Sequence, residues 1–192
     1  MRNKTKQNGF TLVEVMMVVG ILAILAGVAT PTLLSALPNM RLRGAARDVY
    51  SAMMQTRIEA LRRGENVTLL FNSPLPGGSP GGTYTMFLDN GTNGGIANNQ
   101  LLDEGAAAML LTVTLPDRVT FDPVAPVDPD GNQDGVSFTS NNALIFSLRG
   151  IPVNNVGGLG AGTVGLRAID SNGITLRQRT VTVSSAGRII IL

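Results

Sequence analysis

The 192-residue chain has no cysteine and no histidine, and its two lysines, Lys4 and Lys6, both lie in the first nine residues. Without cysteine the fold must be held by its core with no disulfide, and the redox compartment is left open. Without cysteine and histidine the thiol nucleophile, the usual general base and the common transition-metal ligands are gone. Ser/Lys chemistry fails too, because both lysines sit at the N-terminus. Carboxylate pairs remain, but each acidic cluster lies in a Gly- and Asn-rich stretch, and aromatic residues make up only 4% of the chain. An enzymatic role therefore has almost no residues to rest on.

What is present is a long apolar run. From Phe10 to Ala29 the chain reads FTLVEVMMVVGILAILAGVA, which as a helix spans about 30 Å, the thickness of a bilayer's hydrocarbon core. Its one charged residue is Glu14. A carboxylate near the end of a spanning helix costs about 2–3 kcal/mol unless it is paired, hydrated or protonated. Two readings are open: Glu14 is shallow enough to reach headgroup water, or its partner is a cation on another subunit. A secretory signal peptide does not fit, since its apolar core is shorter and its cleavage site follows the run.

The basic leader, Gly9, Phe10, then Thr11, Leu12, Val13, Glu14 and the apolar run resemble the N-terminus of type IV prepilins and type II secretion pseudopilins. The resemblance implies cleavage by a prepilin peptidase between Gly9 and Phe10, N-methylation of Phe10, and a role for Glu14 in filament assembly, paired with the N-terminal amine of another subunit. It implies other pilins or pseudopilins as partners in a helical filament, together with an inner-membrane assembly platform and membrane lipid. It also implies a cytoplasmic N-terminus and a periplasmic globular domain. Charge counting alone leaves orientation open, because Arg41, Arg43 and Arg47 lie near the opposite end of the run. Loss of Arg2, Lys4 and Lys6 with the leader leaves 12 basic against 13 acidic residues, so the excess of 15 over 13 belongs to the leader.

The expected organisation is a leader at 1–9, a transmembrane and assembly helix at 10–30, an amphipathic continuation at 31–64 and a globular β domain at 65–192. Pro31 is expected to kink the helix, since it has no amide donor and its ring crowds the preceding turn. Leu42, Ala45, Ala46, Val49, Met53, Thr56 and Ala60 then recur at three- and four-residue steps, a narrow stripe suited to packing on a sheet. The other face carries Arg43, Arg47, Arg57, Arg62 and Arg63, with Asp48 and Glu59 interleaved, which favours a solvated or subunit-contacting face. Gly64 is placed to end the helix.

Beyond Gly64, β-prone runs alternate with Gly, Pro, Asn and Asp. Strands are expected at Val67–Phe71, Thr83–Leu88, Met109–Leu115, Arg118–Phe121, Val136–Phe138, Ala143–Leu148, Thr163–Ile169, Ile174–Ser184 and Arg188–Leu192. Tight hairpins are expected at Asp170–Gly173 and Ser185–Gly187. The fold class is α+β: a long N-terminal helix packed on an antiparallel sheet or sandwich, as in type IV pilins. Long polar loops separate some strands, at 72–82, 89–99 and 122–135, and read as binding surfaces or tips.

Leu144, Ile145, Phe146, Arg149 and Gly150, the segment from Phe87 to Gly105 and the final RTVTVSSAGRIIIL are similar to the GspH/FimT family of minor pseudopilins and minor pilins. That second resemblance implies a minor, tip-associated subunit. Some T-type minor pilins bind DNA through two closely spaced arginines after the hairpin glycine. Here Gly187, Arg188, Ile189 and Ile190 follow: Arg188 matches the first of these and isoleucine replaces the second, while Arg177, Arg179 and Arg188 stand as candidate nucleic-acid contacts. The alternative reading has all three simply facing solvent.

One segment suggests a metal. Asp128, Asp130, Asn132 and Asp134 present oxygen ligands at alternate positions, like the front half of a calcium-binding EF-hand loop. The closing glutamate position is Asn141, so affinity is expected to be weak unless Asp89, Asp103 or Glu104 is brought near. The alternative is an ordinary acidic turn with no cofactor.

Overall fold

The computed structural model describes residues 10–72, 82–97, 99–123, 134–138, 142–154 and 156–192, with the backbone alone at 30–35, 72 and 93. One helix, α1 (Leu12–Arg63), supplies part of each of two compact units, Met1–Leu37 and Pro38–Leu192.

In the first unit, every side chain from Phe10 to Ala29 is exposed. The window Leu12–Ala29 is long and apolar enough to cross a membrane. A helix that is hydrophobic all round finds no low-energy place in water, because no polar face can be turned outward. The helix starts with a side-chain cap: Glu14 donates its backbone N–H to Thr11 Oγ1 at 3.3 Å. That satisfies one of the amides a helix start otherwise leaves open. Pro31, where a kink was expected, falls among residues whose side chains lie outside the described set, while the helix assignment itself runs through it.

The second unit is built around the other end of α1. Leu42, Ala45, Ala46, Val49, Met53, Thr56 and Ala60 are all buried, as the small-residue stripe predicts, and Ala52 joins them. Thr56 satisfies its buried hydroxyl by donating to the Ala52 carbonyl at 2.7 Å. The helix stops at Gly64, which adopts a positive φ of 68° and donates its N–H to the Ala60 carbonyl at 3.0 Å, the left-handed cap that glycine adopts most easily.

Two antiparallel sheets complete the unit. The first holds β1 (Val67–Asn72), β2 (Thr83–Leu88), β3 (Met109–Thr114), β5 (Ala143–Phe146) and β6 (Pro152–Val153), in the order β3-β2-β1-β5-β6. The second holds β4 (Val119–Phe121), β7 (Gly162–Ile169), β8 (Thr175–Val183) and β9 (Ile189–Ile191), in the order β4-β7-β8-β9. Central strands such as β5 are buried along their whole length, which is why they read as short continuous apolar runs without alternation.

Both sheets and the helix share one apolar core. Phe71 of β1 sits at its centre, against Tyr84, Phe121 and Phe138 at ring-centroid distances of 6.2, 6.0 and 5.8 Å. Two glycines make room for these rings. A Cβ on Gly82 would overlap the Phe121 ring, and one on Gly162 would overlap Phe138.

Among the described residues, eight of the nine strands coincide with expected runs to within a few residues. Two differences remain. Residues 136–138 form only a single bridge, Val136 to Val164, and not a strand. The two-residue strand β6 was not anticipated, because it starts at a proline that cannot donate to a ladder.

Candidate functional site

Two features of the sequence pointed to function, an N-terminal segment with Glu14 and a set of arginines. Of the first, Gly9 lies outside the described residues, while Phe10 and Glu14 are exposed. Thr11 and Glu14 stand three residues apart across the start of α1, with Glu14 in the first turn, where a carboxylate is favoured by the helix dipole.

The arginines sort into two groups. Some are spoken for. Arg41 pairs with Asp117 at 3.0 Å, and Arg62 and Arg63 both grip Glu59, at 2.8 and 2.9 Å. Those two guanidiniums hold the Glu59 carboxyl below its ordinary range. Arg57 donates to the Gly187 carbonyl at 3.2 Å. Arg188 sits at the β8–β9 hairpin, where its backbone N–H meets Ser184 Oγ at 3.1 Å and Gly187 has a φ of 79°.

Arg43, Arg47, Arg177 and Arg179 form the other group, and they converge. Arg43, Arg47 and Arg179 line a groove of about 420 Å³ together with Ala46 and Ile191. Arg43, Arg177 and Arg179 line an adjoining hollow of about 220 Å³ with Asn39, Gln178 and Leu192. The register explains the opening. β9 pairs with β8 over Val181–Val183, and Leu192 extends the pairing only as far as Thr180, so Arg177 and Arg179 pair with β7 on one side, opposite Ala168 and Leu166, and have no strand on the other among the described residues. Thr175 to Gln178 are accordingly exposed. No acidic residue lines either hollow, and none of the four arginines forms an ion pair among the described residues. The sequence grouped Arg177 and Arg179 with Arg188; the fold brings them together with Arg43 and Arg47. Nothing local in the sequence signals that convergence, because it joins a helix to a strand about 130 residues later.

Asp128, Asp130 and Asn132 of the calcium-loop segment lie outside the described residues. Asp134 is described, and both of its carboxylate oxygens are engaged, one by the Val136 N–H at 3.0 Å and the other by the Asn142 side-chain amide. Among the described residues no three carboxylates are placed to hold a metal ion.

The 89–105 segment is packed from inside by its own polar groups. Asp89 is buried and accepts from Thr68 Oγ1 at 3.2 Å and from the Gln100 N–H at 2.9 Å. Glu104 is buried too and accepts from the Gly91 N–H at 3.2 Å. Burial pushes the Glu104 carboxyl above its ordinary range, with Asp89 and Asp103 adding to the push. Asp103 accepts from Asn99 at 2.7 Å and from the Ile96 N–H at 3.2 Å. Gly95 lies close against Asp103 and Glu104, where a Cβ would collide with both.

Comparison with known proteins bears on both halves. Residues 4–30 match the prokaryotic N-terminal methylation motif, and residues 45–187 match the family described as type II transport protein GspH. The pilin-like protein PilA1 of Thermus thermophilus is 39% identical over 88 residues, which are 45% of this chain and 51% of that protein. The match therefore spans about half the length of that relative. A solved structure, the type IV minor pilin FimU of Pseudomonas aeruginosa, superposes with a TM-score of 0.46 at 17% identity over 80% of this chain and 90% of the other.

Proposed function

Because the chain belongs to the type II transport protein GspH family and carries the N-terminal methylation motif over residues 4–30, we propose that it works as a minor pilin-like subunit of a type II secretion pseudopilus or type IV pilus. Family membership makes it a structural subunit and not an enzyme. In this reading residues 1–9 are removed by a prepilin peptidase, Phe10 becomes the methylated N-terminus, 10–30 anchors and assembles, 31–64 continues the helix and 65–192 is the β domain. Before assembly the protein sits in the inner membrane with its N-terminus cytoplasmic and its domain periplasmic. An assembly platform then passes it into a filament of other pilins.

The observation that carries this reading is the helix from Leu12 to Ala29, apolar and exposed all round, with Glu14 as its one charge. Such a surface is covered by lipid or by other helices of the same kind. Leaving lipid is made easier if the Glu14 carboxylate is neutralised by a neighbour's Phe10 amine, since an unpaired charge is costly among apolar helices.

Two substitutions test it. Gly9 replaced by a bulky residue is expected to leave the precursor uncut when the mature N-terminus is read by mass spectrometry; a normal cut would sink the proposal. Glu14→Ala is expected to be cut normally but recovered from membranes instead of sheared filaments, and unchanged incorporation would remove the pairing.

A further inference from the structure

The groove between α1 and β8 is used by nothing above. It gathers Arg43 and Arg47 from the helix and Arg177 and Arg179 from the strand, with no acid in its lining. Some arginines elsewhere in the chain have a carboxylate partner: Arg41 has Asp117, and Arg62 and Arg63 share Glu59. Four like charges brought together without a counter-charge repel one another, and an anion relieves that repulsion. The lining is not purely cationic. Ala46, Ile191 and Leu192 lie among the guanidiniums, and Ile191 and Leu192 keep 36% and 64% of their surface exposed.

We propose that this groove docks an acidic, partly apolar segment of another protein subunit. Its carboxylates are held by the guanidinium forks, and an aliphatic side chain rests on Ala46 and Ile191. Arginine suits this task better than lysine, because its planar fork grips a carboxylate through two parallel hydrogen bonds. A nucleic acid fits the lining less well. Phosphate-backbone binding uses an extended track of cations and, for single strands, aromatic platforms for the bases. Here no aromatic residue lines the groove, and Arg188 lies outside it. The inference rests on the unit Pro38–Leu192 alone and stands whether or not Glu14 pairs during assembly.

The test uses the full chain in non-ionic detergent and fluorescence anisotropy, with a short labelled peptide alternating Glu and Leu as the probe. Peptides alternating Gln with Leu and Lys with Leu, and a labelled mixed-sequence oligonucleotide, serve as comparisons. The Glu–Leu peptide is expected to bind, to weaken as salt is added, and to bind about tenfold more tightly than the Gln–Leu peptide. The double variant R43E/R179E is expected to reverse the preference toward the Lys–Leu peptide. Should that variant fail to fold by circular dichroism, Arg177→Gln on the exposed part of β8 is expected to weaken the Glu–Leu peptide severalfold. Equal binding of the Glu–Leu and Gln–Leu peptides, unchanged affinity in the variants, or no binding overturns the proposal. Tighter binding of the oligonucleotide through the same arginines overturns it as well, and gives the groove to nucleic acid.

Discussion

Phe71 stacks on Phe138 with ring centroids 5.8 Å apart and planes 13° apart, and it meets Phe121 edge-on at 6.0 Å and 86°. Since β1 and β4 belong to different sheets, the Phe71–Phe121 contact ties the two together. Phe71→Ala is expected to cost about 3–5 kcal/mol, the range for removing a buried aromatic ring. Urea unfolding followed by circular dichroism measures it, and a midpoint unchanged from the parent would show that the sheets are held elsewhere.

The glycines that admit these rings are expected to tolerate no side chain. Gly162→Ala places a methyl group into the Phe138 ring and should cost about 1–3 kcal/mol through overpacking. Gly44→Ala makes the opposite case. Nothing lies within 4 Å of a Cβ there, and the residue is inside α1, so alanine is expected to stabilise by up to about 1 kcal/mol. Thermal unfolding of the two variants should shift in opposite directions.

Glu104 makes stability depend on pH in the reverse of the usual carboxylate sense. Its folded pKa is raised from the ordinary value of 4.5, first by burial and then by Asp89 and Asp103. The contribution is therefore fully present below the unfolded pKa and is lost as pH rises through the raised one. Glu104→Gln is expected to gain stability relative to the parent as pH is raised from the acid side of that window to neutrality. A difference that stays constant with pH would mean that Glu104 ionises normally in the fold.

Tyr84 offers a second titration, at the alkaline end. Burial, with a smaller push from Asp48, raises its phenol from 10.0 to about 12. The fold keeps the neutral phenol, so the stabilisation it gives is present below pH 10 and lost as pH climbs toward 12. The chain has only two tyrosines, so a Tyr50→Phe variant reports Tyr84 alone by phenolate absorbance. Full ionisation of that variant near pH 10 while it is still folded would contradict the burial.

The helix and most strands are legible from pattern because each is specified locally. The stripe from Leu42 to Ala60 repeats at helical spacing, and runs such as Ala143–Phe146 are apolar without a break. Asp170 marks its turn in the same local way, its carboxylate accepting from the N–H groups of Asn172 and Ile174 at 2.8 Å each. The arginine groove is not legible in this way. It depends on which face of α1 meets which end of β8, and on β9 pairing no further along β8 than Thr180, facts of register and packing that no short window contains. The sequence therefore joined Arg177 and Arg179 to Arg188 by proximity along the chain, while the fold set them beside Arg43 and Arg47.

The short reach of β9 has one more consequence. From Thr175 to Arg179, β8 has no strand on one side among the described residues, and backbone amides and carbonyls on such an edge are how strands of separate molecules zip together into aggregates. Arg177 and Arg179 stand on that stretch, and a second copy laid antiparallel along it would bring two pairs of guanidiniums face to face. The positive charge thus works as a guard against such pairing, leaving the edge open only to a neighbour of opposite sign.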